Sequence, residues 1–120
     1  MDAEISPAEL ETALENGEGP VVVDIRNPEE FQRGHIPDSI NVPLSRLPRE
    51  VDRLRGADHV VTVCPHGKAS VRAARLITSF EGFHGRVESL ESGLAGWDGP
   101  LEAPTGDAKG PASDSPDAPF

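Results

Sequence analysis

Two apolar runs that do not alternate, helical segments with clear start signals between them, and a loop where a strand's end meets a helix's start predict an α/β fold on a parallel sheet. The runs are Val21-Val22-Val23-Asp24-Ile25 and His59-Val60-Val61-Thr62-Val63-Cys64. Both are β-branched and apolar at successive positions, which suits strands covered on both faces.

The first helix is announced by Ser6-Pro7-Ala8-Glu9: an N-cap, a Pro at the first helical position and a Glu placed for a capping box. Gly17 and Gly19 then stop it. Asn27-Pro28-Glu29-Glu30 repeats the signal after the first strand, and Ile40-Asn41-Val42 reads as a further short strand. Residues 44–54, with apolar Leu47, Val51 and Leu54 at helical spacing, predict a helix. After Cys64 the pattern turns helical again: Ala73, Leu76, Ile77 and Phe80 share one face, and small Ala73 and Ala74 allow close approach to the sheet. Arg86-Val87-Glu88-Ser89-Leu90 predicts the last strand. Strands alternating with helices at this spacing imply right-handed crossovers.

The 120 residues carry 21 Asp and Glu against 11 Lys and Arg, a net charge of −10, with a single Cys. One domain is expected at that length. Residues 1–101 are assigned to it, and residues 102–120, rich in Pro, Ala, Gly and Ser, read as a disordered acidic tail that buries too little to offset the entropy of ordering it. No apolar run approaches the roughly 18 residues of a membrane span. Met1-Asp2-Ala3-Glu4 lacks the basic start of a signal peptide, so a cytoplasmic protein is expected. A lone Cys forms no intrachain disulfide, and the four His show no paired ligand spacing, so neither a disulfide framework nor a metal site is expected. The acidity excludes a phosphate-neutralising surface, hence nucleic acid. It fits either a solvated surface or adaptation to high salt, and the scarcity of Lys, two residues in all, favours the second.

The segment Cys64-Pro65-His66-Gly67-Lys68-Ala69-Ser70 joins the C-terminal end of a buried strand to a helix N-terminus, where ligands bind in open α/β sheets. A thiol there sits at the positive end of the helix dipole, within reach of unpaired N–H groups that favour thiolate. Gly67 lets the loop adopt positive φ and turn successive N–H groups toward an anion. Lys68 adds a cation, and Ser70 either caps the helix or donates a hydroxyl hydrogen bond. The bland alternative is that Cys64 is a small hydrophobe ending a strand. The strand-to-helix position, the glycine three residues on and the helix that follows favour a nucleophile.

These motifs resemble the rhodanese-like family. Asp24-Ile25-Arg26, Glu30-Phe31, Gly34-His35-Ile36-Pro37 and Asn41-Val42-Pro43 match its first signature in order. Cys64 to Ser70 match its active-site loop, and Gly93-Leu94-Ala95-Gly96-Trp97 its C-terminal signature. The resemblance spans residues 5–101. It implies a central, mostly parallel five-stranded sheet flanked by helices on both faces. It also implies a sulfurtransferase in which Cys64 takes a sulfane sulfur from a donor such as thiosulfate and passes it to cyanide or a thiol. The intermediate is a persulfide on Cys64, its charge held by N–H groups from Pro65 to Ser70, with no metal or organic cofactor and ping-pong kinetics. Asp38 and Ser92 stand where the family usually has Gly. Ala69 stands where it often has Arg, which leaves Lys68, His66 or Arg72 to supply positive charge.

Among supporting residues, Asp24 and Arg26 end the first strand, and a structural salt bridge from Arg26, with Glu30 as partner, is favoured over substrate contact. His35 is expected to bond backbone and fix its loop, and Trp97 to cover the core rather than wall a pocket. Phosphatase chemistry on a similar fold needs an Arg six residues after the Cys; that position is Ser70. The competing readings are a persulfide relay module that takes sulfur from a partner protein, and a regulatory module without chemistry.

Overall fold

A computed structural model of the protein describes residues 3–17 and 19–103. Five strands, β1 (Glu4–Ile5), β2 (Val21–Asp24), β3 (Ile40–Asn41), β4 (His59–Val63) and β5 (Arg86–Leu90), form one sheet in the order β1-β5-β4-β2-β3. Every pairing is parallel. Helices α1 (Pro7–Glu15), α2 (Pro28–Arg33), α3 (Leu47–Glu50) and α4 (Ala69–Ser79) form the crossovers.

Successive strand residues point to opposite faces, and both faces are covered. Val23, Val60 and Cys64 join Leu47, Val51, Leu54, Ala73 and Ile77 on the α3/α4 side. Val22, Val61 and Val63 join Ile5, Leu10, Ile36, Leu90 and Trp97 on the other. This double burial is why the two apolar runs do not alternate. Among the described residues, no helix is long and apolar enough to cross a membrane.

The local start signals form as read. The Ser6 side chain accepts from Glu9 N–H at 3.1 Å and Glu9 Oε1 accepts from Ser6 N–H at 3.0 Å, closing the capping box. The Asn27 side chain accepts from Glu30 N–H at 2.9 Å and starts α2. Gly17, at φ +75°, turns the chain out of α1.

Three elements differ from the sequence reading. β1 is two residues long, below the length at which periodicity registers. The helix expected over residues 44–54 is three short turns, 3₁₀ at Leu44–Arg46 and Val51–Leu54 around α3. Pro48 has no N–H to continue a regular ladder there, yet Leu47, Val51 and Leu54 still reach the core. The third difference is the end of the folded chain. Glu102 pairs with His35 through N–H to carbonyl bonds of 2.9 and 2.7 Å in both directions, so ordered pairing runs past Leu101. The rest of the expected tail from residue 104 lies outside the described residues.

Trp97 is 8% exposed in the second core cluster. It also walls a cavity of about 220 Å³ with Glu11, Leu14, Glu15, Pro37, Asp38 and Pro100, so it is both core cover and pocket wall. None of the residues from Cys64 to Ser70 lines that cavity.

Ile77 is fully buried between α4 and the sheet, so Ile77→Ala should lower the unfolding free energy by about 2–5 kcal/mol. Ser6→Ala should cost about 1 kcal/mol through the lost cap. Urea unfolding measures both, and an Ile77→Ala loss no larger than that of Ser6→Ala would contradict this packing.

Candidate active site

Cys64 follows the last residue of β4 and is 2% exposed, with its sulfur enclosed by the chain that follows it. Gly67 N–H donates to Sγ at 3.0 Å and Ser70 N–H at 3.3 Å, while Ser70 Oγ lies 3.3 Å from Sγ. Burial pushes the thiol up. The Ser70 hydroxyl and the N–H groups of Ser70, Gly67 and His66 outweigh that and hold Cys64 below the usual thiol range.

The loop geometry behind this comes from outside the loop. Turning N–H groups inward turns carbonyls outward, where they need donors. Leu94 N–H donates to Cys64 O at 2.9 Å and Ala95 N–H to Pro65 O at 3.0 Å, both from the 3₁₀ turn Gly93–Gly96. The fit leaves no room for side chains at two points. Gly67 has φ +86°, and a Cβ there would lie 2.9 Å from Ser92 N. A Cβ on Gly93, at φ +59°, would strike the Cys64 carbonyl oxygen. Ser92 and Asp38 have φ of 64° and 66°, so both keep the left-handed turn that glycine favours.

The remaining loop residues divide by role. Pro65 carries no N–H, so it contributes its carbonyl and not, as the resemblance implied, a donor. Pro65, His66 and Lys68 are exposed, and Lys68 is the N-cap of α4. Ala69 opens α4 and packs against the core, leaving the position without a cation. Ser70 does not cap the helix: it is fully buried, its hydroxyl turned to the sulfur. Arg72 is exposed on α4.

Asp24, Arg26 and His35 are not bonded to the sulfur. Arg26 grips Asp24 with Nε to Oδ1 at 2.9 Å and a terminal guanidinium nitrogen to Oδ2 at 2.7 Å, and also donates to Gly34 O. The partner is thus Asp24, not Glu30, because the strand-end carboxylate also accepts from Arg26 N–H and sits in fork geometry two residues away. His35 donates from Nδ1 to Phe31 O at 2.9 Å and stacks on the Phe31 ring at 3.9 Å, fixing its loop as expected. These three tie β2, α2 and the connection to β3 together.

Two residues join the site that the sequence reading did not assign. Thr62 Oγ1 donates to Ser70 O at 2.7 Å, and Ser89 Oγ lies 2.6 Å from Ser70 Oγ. Both are fully buried polar residues in interior strands, an unusual placement that is itself a readable signal.

The model of the rhodanese-like domain matches residues 6–99. The chain belongs to the rhodanese-like family. A thiosulfate sulfurtransferase of Pseudomonas syringae is 36% identical over 94 residues, covering 76% of this chain and 83% of its own. A Bacillus subtilis relative that bears the name of a sulfur carrier protein is 28% identical over 82% of this chain, which spans only 52% of that protein. A rhodanese-related protein of Thermoplasma volcanium has a solved structure similar to this one, with TM-score 0.71, 29% identity and coverage of 83% of this chain and 97% of that one. The rhodanese fold, with its five-stranded sheet, is therefore the one the motifs implied, and the family is one of sulfurtransferases and sulfur carriers.

Ser70→Ala removes a hydroxyl from the sulfur and should raise the pH at which Cys64 becomes reactive by about one unit. Gly93→Ala should slow alkylation at neutral pH at least as much, by displacing the loop. Iodoacetamide alkylation rates against pH measure both, and an unchanged midpoint in Ser70→Ala would show the hydroxyl to be idle.

Proposed function

We propose that the protein is a sulfurtransferase that carries sulfane sulfur as a persulfide on Cys64. The observation that carries this reading is the sulfur itself, buried and met by two N–H donors and a hydroxyl in one short loop.

In the first half-reaction the Cys64 thiolate attacks the outer sulfur of the donor. An S–S bond forms on Cys64 as the donor's S–S bond breaks, and the leaving group departs with the electron pair: sulfite from thiosulfate, a thiolate from a persulfide donor. In the second, cyanide or an acceptor thiolate attacks the outer sulfur, and Cys64 leaves as thiolate with its lowered affinity for a proton. Turned-in N–H groups suit both states, since negative charge passes between Sγ and the outer sulfur without a donor having to move.

A second reading, a relay in which the donor is a partner protein's persulfide, is favoured by Ala69 and by the exposure of Pro65, His66 and Lys68 at the loop's rim. A neutral Ala69 offers a sulfonate no grip, whereas an open rim admits another protein's sulfur.

Wild-type protein should form thiocyanate from thiosulfate and cyanide, and Cys64→Ala should not; equal rates from both would end the catalytic assignment. If the wild type turns over slowly, mass spectrometry after exposure to a persulfide donor should find one added sulfur on the wild type alone, the relay outcome. Lys68→Gln should raise KM for thiosulfate a few-fold at low salt, with the difference nearly gone in 1 M salt, where the screening length is about 3 Å. A salt-independent difference would mean that Lys68 acts through direct contact instead.

A further inference from the structure

Behind the sulfur lies a chain of three polar atoms: Cys64 Sγ, Ser70 Oγ at 3.3 Å and Ser89 Oγ at 2.6 Å from that. Ser70 and Ser89 are both 0% exposed. Among the described residues the Ser89 hydroxyl has Ser70 Oγ as its one partner, and Ser70 Oγ has only Ser89 Oγ and Sγ. The chain therefore has two links and is closed at the Ser89 end.

Counting protons fixes its direction. If a thiol Sγ–H donates into the chain, three protons share two links, and the Ser89 proton is buried without an acceptor, an arrangement native proteins avoid. If Sγ is a thiolate, the two hydroxyl protons fill the two links, Ser89 donating to Ser70 and Ser70 to sulfur. A thiol that accepts from Ser70 keeps the same direction but is a weak acceptor. Every fully satisfied arrangement points toward the sulfur.

We propose that Ser89 is a positioning residue whose buried hydroxyl donates to Ser70 and so holds the Ser70 proton on the Cys64 sulfur. This rests on the reading of Cys64 as the reacting thiol. On ionisation the thiol proton passes to a buffer base, neither serine loses its own, and both hydroxyls end aligned. Polarisation along the chain strengthens the terminal bond by a modest fraction. The other groups around the sulfur do not substitute for this. Asp24 at the end of β2 and Arg26 just after it are bound to each other, and Glu88 of β5 is bound to His59. His66, Lys68 and Arg72 are exposed, so solvent screens them.

The test uses the full chain, where the single Cys makes iodoacetamide labelling report one atom. Ser89→Ala should raise the midpoint of alkylation against pH by about 0.3 units, roughly a twofold slower rate below the midpoint. The Ser70→Ala/Ser89→Ala double variant should match Ser70→Ala alone, because Ser89 acts only through Ser70. Additive shifts, or a Ser89→Ala midpoint equal to wild type, would overturn the proposal. If Ser89→Ala is poorly folded by circular dichroism, the shape-matched pair decides: Ser89→Thr should keep the wild-type midpoint and Ser89→Val raise it, and equal midpoints would overturn it. Alkylation needs no sulfur donor or acceptor. Failure of sulfur transfer would therefore leave this result standing, and the reverse also holds.

Discussion

A polypeptide that points several N–H groups at one atom must send the matching carbonyls the other way, and in a buried loop those carbonyls need donors of their own. That constraint organises the site. The carbonyls of Cys64 and Pro65 are met by Leu94 and Ala95 N–H, so the turn at Gly93–Gly96 is the outer half of the sulfur cradle. Gly67 and Gly93 are the points where the two halves come too close for a side chain, and the positive φ of both keeps the peptide planes turned. Sheet order completes the arrangement: β5 lies beside β4, so the chain leaving β5 emerges next to the chain leaving β4.

Two opposing effects meet at the sulfur. Enclosure removes water from Cys64, which disfavours its charge, and the same enclosure strengthens every hydrogen bond made to it. The bonds win, and among the described residues they do so without a cationic side chain hydrogen-bonded to the sulfur. The site is thus built from fixed dipoles rather than paired charges, which is consistent with a surface whose net charge of −10 would otherwise work against an anionic centre. Charge pairing is used elsewhere: among the described residues, the well-buried ion pair of Arg26 with Asp24 braces the neighbouring strand end.

What could be read from the sequence was local. The caps at Ser6 and Asn27, the strands at β2, β4 and β5, and the loop from Cys64 to Ser70 each announce themselves within a few residues, because capping, β-branching and glycine turns act over that range. Arrangements that depend on tertiary contact were not legible. β1 gains its strand character by pairing with Ser89 and Leu90, far along the chain. Ser70 could be read as a cap or a donor, and only its approach to Sγ and Ser89 decides between them. Arg26 had two acidic neighbours at comparable range, and the strand-end geometry selects Asp24. The helix over residues 44–54 kept its buried face but lost its regularity at Pro48.

The brace at Gly93–Gly96 lies near the C-terminal end of the folded body, some 30 residues after the cysteine it serves. A ribosome delivers the chain from the N-terminus at about 5–20 residues per second, so Cys64 is made well before the turn that holds its loop open. β1, which precedes β5 in the chain, must likewise wait for it. Until then the thiol belongs to an unbraced chain and lacks the donors that lower its pKa in the folded protein. The environment that favours its ionisation is therefore assembled only when the fold is complete.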